Sequence, residues 1–239
     1  METLEKSWSV CGIDFSLELW PGRVFVPTTV SELLAQQLTR VPGETVVIDM
    51  GCGSGFFSVL AAKLGAAKIY AVDVTSHAVE LTKNNLLRNG ITEKAEVLCG
   101  NLFDPLKGIK AHRIILDVSG VAARLARATP WYPEAIASAN EDGTEPTISA
   151  LRQGREHLLP GGKLIFPCGT LAHESRIIEA AKELFHNNLR LLNEKLIPVT
   201  EQLREAFDQC HDLLEKGWVS LVERRGKKYW LLHVYEAQA

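Results

Sequence analysis

The chain has 239 residues, 46% of them hydrophobic, and a formal net charge of −3 from 26 Lys and Arg against 29 Asp and Glu. That length buries one large α/β core and leaves little for a second, so a single domain over 1–239 is expected. The charge balance speaks against a broad nucleic-acid footprint, no run reaches the roughly 20 apolar residues that cross a bilayer, and the polar start Met1-Glu2-Thr3-Leu4-Glu5-Lys6 lacks a signal peptide's apolar core; a cytoplasmic protein that contacts neither membrane nor DNA is expected.

In the N-terminal segment, 1–40, apolar residues at helical spacing predict a helix over 30–38, with Ser31 at its start as a cap. The run Val46-Val47-Ile48-Asp49-Met50 then ends at an acid and breaks into Gly51-Cys52-Gly53-Ser54-Gly55. This reads as a strand, a tight turn and a helix over about 55–64. Glycines in such a turn let backbone N–H groups approach a ligand. The spacing differs from the dinucleotide fingerprint, because Phe56 stands where a third glycine or alanine belongs.

A strand over 68–73 ends at a second acid, Asp73, placed to accept hydrogen bonds from both ribose hydroxyls of an adenosine. A helix over 76–88 follows and closes at Asn89-Gly90, where glycine takes the left-handed conformation. Strands over 96–99 and 113–118 continue the βαβ rhythm of a parallel sheet. The stretch 120–147 is long and irregular enough for a lid or acceptor-binding loop. Beyond it come a strand over 163–167, a helix over 174–185, a strand over 189–197 and a broadly helical face over 201–216. Runs 218–223 and 229–235 read as an antiparallel hairpin around the basic tip Arg224-Arg225-Gly226-Lys227-Lys228, more readily a solvated turn than an RNA contact. The five cysteines are scattered and unpaired in pattern, so free thiols and no metal site are expected.

Asp49-Met50-Gly51-Cys52-Gly53-Ser54-Gly55 fits every fixed position of D-x-G-x-G-x-G. With Asp73 at the end of the next strand, the chain resembles the class I S-adenosylmethionine-dependent methyltransferases. The resemblance implies a Rossmann-like α/β sandwich, a mostly parallel seven-stranded sheet with an antiparallel C-terminal hairpin, and S-adenosyl-L-methionine as cofactor. It implies a cofactor site built from Asp49, Gly51, Cys52, Gly53, Ser54, Gly55, Asp73, Val74, Asn101, Leu102 and Asp117, with Asn101 and Leu102 at the adenine. Segments 22–34 and 141–164 resemble the release-factor glutamine methyltransferases. Segments 53–68 and 85–90 look more like the ribosomal-protein methyltransferases.

After the fourth strand the glutamine enzymes carry Asn-Pro-Pro-Tyr, whereas this chain has Asp117-Val118-Ser119-Gly120. Glutamine methylation therefore does not carry over. Asp117 is the candidate to orient or deprotonate an acceptor, Ser119 a hydrogen-bonding helper, and Trp131 and Tyr132 candidate acceptor contacts. No histidine has a triad-like setting. The residues before Trp20 are too few for a separate acceptor-recognition domain, so a small molecule methylated on oxygen or nitrogen is the expected acceptor. The alternatives are a protein side chain or RNA, or a non-catalytic module that only binds the cofactor.

Overall fold

The computed structural model describes residues 3–118, 120–129 and 140–239. It opens with a hairpin outside the expected elements. β1 (Leu4–Val10) pairs antiparallel with β2 (Ile13–Leu19) around Cys11 and Gly12, at φ 54° and 71°. Positive φ at both central residues is the type I′ turn, whose twist suits a two-residue hairpin. Alternation in β2 buries Phe15, Leu17 and Leu19.

Helix α1 (Thr29–Ala35) starts just ahead of the expected position. Thr28 is its cap and accepts from the Val30 N–H, while Ser31 supplies the reciprocal bond to the Thr28 N–H. Ser31 is thus the third residue of a capping box and not the cap itself.

The parallel half follows as β3 (Val46–Met50), α2 (Phe56–Lys63), β4 (Lys68–Asp73), α3 (Ser76–Arg88), β5 (Ala95–Cys99) and β6 (Ala111–Leu116). Val47, Ile48 and Met50 are each at most 1% exposed, because a central parallel strand is covered on both faces. Next come α4 (Ala123–Arg127), α5 (Glu145–Glu156), β7 (Leu158–Gly169), α6 (Glu174–Leu184) and β8 (Leu189–Pro198). The chain ends with α7 (Glu201–Gln209), α8 (His211–Glu215), β9 (Val222–Arg224) and β10 (Lys227–Gln238).

The main sheet has the order β5-β4-β3-β6-β7-β10-β8, with β9 also paired to β10. β3 through β7 run parallel, and β10 lies antiparallel between β7 and β8. This is the expected mostly parallel sheet, enlarged by the short β9. Helices α1, α2, α3 and α7 give Leu34, Leu60, Leu86 and Phe207 to one face. α5 and α6 give Leu151 and Ile177 to the other. Strand order reverses between β3 and β6, so the carboxyl ends of β3, β4 and β6 border the crevice where open α/β sheets bind ligands.

Three expectations change. The strand expected over 218–223 begins only at Val222, because Trp218 and Val219 turn back on α8, both donating to the Leu213 carbonyl, and Val219 is buried. The helical face over 201–216 breaks at Cys210 into α7 and α8. The stretch 120–147 is not irregular throughout: α4 lies inside it and α5 begins in it, with Pro146 in the first turn, where its missing N–H costs nothing.

Candidate functional site

The turn between β3 and α2 holds its three glycines at φ 81°, 52° and 79°. Gly51 and Cys52 both donate to the Val72 carbonyl, and Gly55 donates to Cys52, which bends the chain sharply over the end of β4. A Cβ on Gly51 would lie 2.6 Å from the Asp117 carbonyl oxygen, so no other residue brings the two strand ends this close.

Asp49 lies beneath the turn at 0% exposure. Its Oδ2 accepts from the Ser58 hydroxyl at 2.5 Å in the first turn of α2, while its Oδ1 is buried without a partner. Burial pushes this carboxyl up to about 7; the Ser58 hydrogen bonds pull the other way, and the charges of Asp117 and Asp73 add to the rise. Cys52 sits between the first two glycines of the turn. Its thiol is buried, receives a 3.4 Å contact from the Thr82 hydroxyl, and is driven well above its ordinary value by burial. The Ser54 hydroxyl is also buried and unpartnered.

Asp73 ends β4. One oxygen accepts from the Gly53 N–H at 3.0 Å; the other accepts from the Thr75 N–H and hydroxyl. Val74 beside it is 57% exposed, and the Gly100 N–H donates to the Asp73 carbonyl, drawing the end of β5 alongside. Asn101 is exposed there, and among the described residues its amide makes no bond to its own backbone, unlike an Asx-turn. Leu102 stands at φ 46° and packs half-buried against the α5–α6 side of the core.

Asp117 leaves the end of β6 with its N–H on the Met50 carbonyl. Its Oδ2 accepts from the buried Ser31 hydroxyl at 3.1 Å, so α1 sets the carboxylate's orientation. Burial raises this group to about 6 against the Ser31 bond. Asp49, Asp73 and Asp117 therefore converge at the carboxyl ends of β3, β4 and β6, and none has an ion pair among the described residues. Ser119, Trp131 and Tyr132 lie outside the described residues. The far end of the 120–147 stretch is anchored by Asp142, which is 5% exposed and accepts from Asn140, Thr144 and Arg176.

Two contributors escaped the sequence expectations. The Thr82 hydroxyl holds the Gly53 carbonyl at 3.0 Å. The Asn85 side chain clasps β2 to the turn, exchanging bonds with the Glu18 backbone and donating to the Ser54 carbonyl. Their signal was present: Thr82 and Asn85 fall in the stripe of Ala78, Leu81 and Leu86, and polar residues on an apolar helix face need buried partners.

The profile of a family described as ribosomal protein L11 methyltransferase (PrmA) matches residues 18–129. The ribosomal protein L11 methyltransferases of Alkaliphilus metalliredigens and Oceanobacillus iheyensis are 41% identical over 91 residues and 37% identical over 127. These stretches take in 37% and 52% of this chain but 29% and 39% of the relatives, so the chain spans less than half the length of the curated relatives it matches. A ribosomal protein L11 methylase structure from Lactobacillus delbrueckii superposes with a TM-score of 0.55 at 18% identity, covering 92% of this chain and 84% of that one. The T. thermophilus 16S rRNA N2 G1207 methyltransferase, solved with AdoMet and guanosine, gives 0.63 at 16% identity over 99% and 50%. At such identities the structural likeness is one of fold. The expectation of a small-molecule acceptor is corrected by these findings, since the relatives that match the cofactor half are named for a protein substrate. That expectation rested on the length of the segment before Trp20, which identifies no acceptor.

Proposed function

We propose that this chain, which has the class I methyltransferase fold and resembles the ribosomal-protein methyltransferases, transfers a methyl group from S-adenosyl-L-methionine to a side-chain nitrogen of a protein in the cytoplasm. Ribosomal protein L11 is the first acceptor to test. The observation that carries the reading is the set of three carboxylates, Asp49, Asp73 and Asp117, gathered at one sheet edge without a cationic partner among the described residues. Carboxylates left without countercharge suit a ligand that brings cationic groups and hydroxyl donors. S-adenosylmethionine has both, in its ammonium, its sulfonium and its ribose.

In this reading Asp73 receives the ribose hydroxyls, Val74, Asn101 and Leu102 border the adenine, and the Gly51–Gly55 turn, with Cys52 and Ser54, shapes the floor. Asp49 and Asp117 face the methionine end. The cofactor supplies an already activated methyl group, so the protein's contribution is alignment, which is worth about 7–11 kcal/mol in favourable cases. An attacking amine must be neutral and then lose a proton. In this reading Asp117 takes it, with Ser119 as a hydrogen-bonding helper; the role is supported by the Ser31 hydrogen bond to its carboxylate and by burial, which raises the group to about 6. The 120–147 stretch, with Trp131 and Tyr132, is the proposed lid over the acceptor. Incubation with methyl-labelled cofactor, purified L11 and total ribosomal protein tests the proposal. Label is expected in protein, and label confined to RNA or small molecules would overturn it.

A further inference from the structure

Residues 222–228 form a hairpin whose turn is made by Arg225 and Gly226, at φ 51° and 72°. This is again a type I′ turn, whose first central position normally takes Asn, Asp or Gly because it needs positive φ. Arg225 departs from that preference, as Cys11 does in the β1–β2 turn, and places a cation at the outermost point of the hairpin. Arg224, Arg225, Lys227 and Lys228 are all exposed, and among the described residues none of their side chains makes a hydrogen bond or ion pair. Glu223, in register with Lys228, is the hairpin's single carboxylate.

Register places this tip. Leu232 of β10 pairs with Gly169, the last residue of β7, and Tyr229 pairs with Pro198, the last residue of β8. At about 3.3 Å per residue, Lys227 projects about 16 Å beyond the level of Gly169. It projects from the same sheet edge that carries Asp49, Asp73 and Asp117. Four cations within five residues thus project beyond the carboxyl ends of the parallel strands in a chain whose net charge is −3.

We infer that this hairpin is an RNA-backbone contact, gripping the phosphates of an RNA strand. An acidic protein surface would ordinarily call for apolar anchors around the charges. The tip offers none, since residues 223–228 are charged or glycine and Val222 is half-buried. A flexible row of cations without a shaped pocket matches a uniform polyanion, and two of the four are arginines, whose planar fork fits phosphate oxygens. The contact stands on the hairpin alone and is independent of which protein is methylated.

The test is fluorescence anisotropy of a labelled 20-nucleotide oligouridine against the full chain. With four phosphates neutralised, log affinity should fall with log salt at a slope of about −2.8, which is about fifty-fold between 50 and 200 mM. Combining Arg224→Ser, Arg225→Asn, Lys227→Ser and Lys228→Ser should weaken binding at 50 mM salt at least tenfold and flatten the slope. Arg225→Asn alone should raise the melting temperature while weakening RNA binding, which separates lost charge from lost folding. Unchanged affinity in the combined variant would overturn the inference, as would an oligouridine that fails to bind while poly-glutamate does. Methyl transfer to a protein acceptor without RNA should be the same in these variants, so failure here and failure of the proposed activity are distinguishable.

Discussion

Replacing Asp49 with Asn keeps the side chain's shape and removes a buried ionisation. In the folded, ligand-free protein the carboxyl titrates at about 7 against 3.8 for the free group, so the folded state holds its proton more tightly than the unfolded chain. The sign follows: this group favours folding at low pH, and its contribution is lost as pH rises from about 4 to about 7. At 1.36 kcal/mol per unit, the loss between pH 5 and 8.5 is about 3 kcal/mol. Asn suffers no such loss, although its amide nitrogen would sit unpartnered where Oδ1 now is, at a cost of about 1–3 kcal/mol that does not depend on pH. The stability difference between Asp49→Asn and the parent should therefore shift toward the variant by about 3 kcal/mol from pH 5 to pH 8.5. Urea unfolding at the two pH values measures it. A difference that stays constant within about 0.5 kcal/mol would refute the burial argument. The same variant should bind S-adenosylmethionine more weakly, since the ligand's positive end would no longer meet the charge.

Three further outcomes follow from contacts already described. Gly51→Ala places a methyl group 2.6 Å from the Asp117 carbonyl and should part the ends of β3 and β6, lowering cofactor affinity in calorimetry at least tenfold; unchanged affinity would show that the two ends need not touch. Asp73→Ala frees the Gly53 N–H together with the Thr75 N–H and hydroxyl and should also cost at least tenfold in affinity, whereas Asp73→Asn should recover part of it by keeping an acceptor. Asp142→Ala strands Arg176 and Thr144 and should lower stability by about 2–4 kcal/mol in chemical denaturation, with cofactor affinity intact. Loss of cofactor binding in that last variant would mean that the 140–147 turn supports the cofactor pocket as well as the fold.

The cofactor half of the fold was legible because each of its signals is local. An apolar run, an acid and three glycines in seven residues leave few conformations, and β3, β4, α2 and α3 fall where spacing puts them. β1 and β2 were missed although Ile13, Phe15, Leu17 and Leu19 alternate cleanly and Cys11-Gly12 makes the turn. β1 buries only Trp8 and Val10, so half of the pattern is silent. Where the Cys52 thiol points is not encoded locally, because its partner is the Thr82 hydroxyl, thirty residues on. Ser31 reads as a helix cap but is the third residue of the capping box, and it holds Asp117, a contact across 86 residues that no local pattern encodes.

The Asn85 clasp gives the N-terminal hairpin a stake in cofactor occupancy. One side-chain amide fastens the backbone of Glu18 and the carbonyl of Ser54, so any loosening of the glycine turn also loosens the strand that precedes it by 36 positions. A ligand that orders the turn binds the hairpin-closed state more tightly and shifts the population toward it. Amides of β2 should then exchange with solvent more slowly when cofactor is present, and a protease that nicks the ligand-free protein near residue 12 should find the loaded protein resistant. Slower exchange in β2 on cofactor binding would make the first strands of the chain a reporter of the glycine turn to which Asn85 ties them.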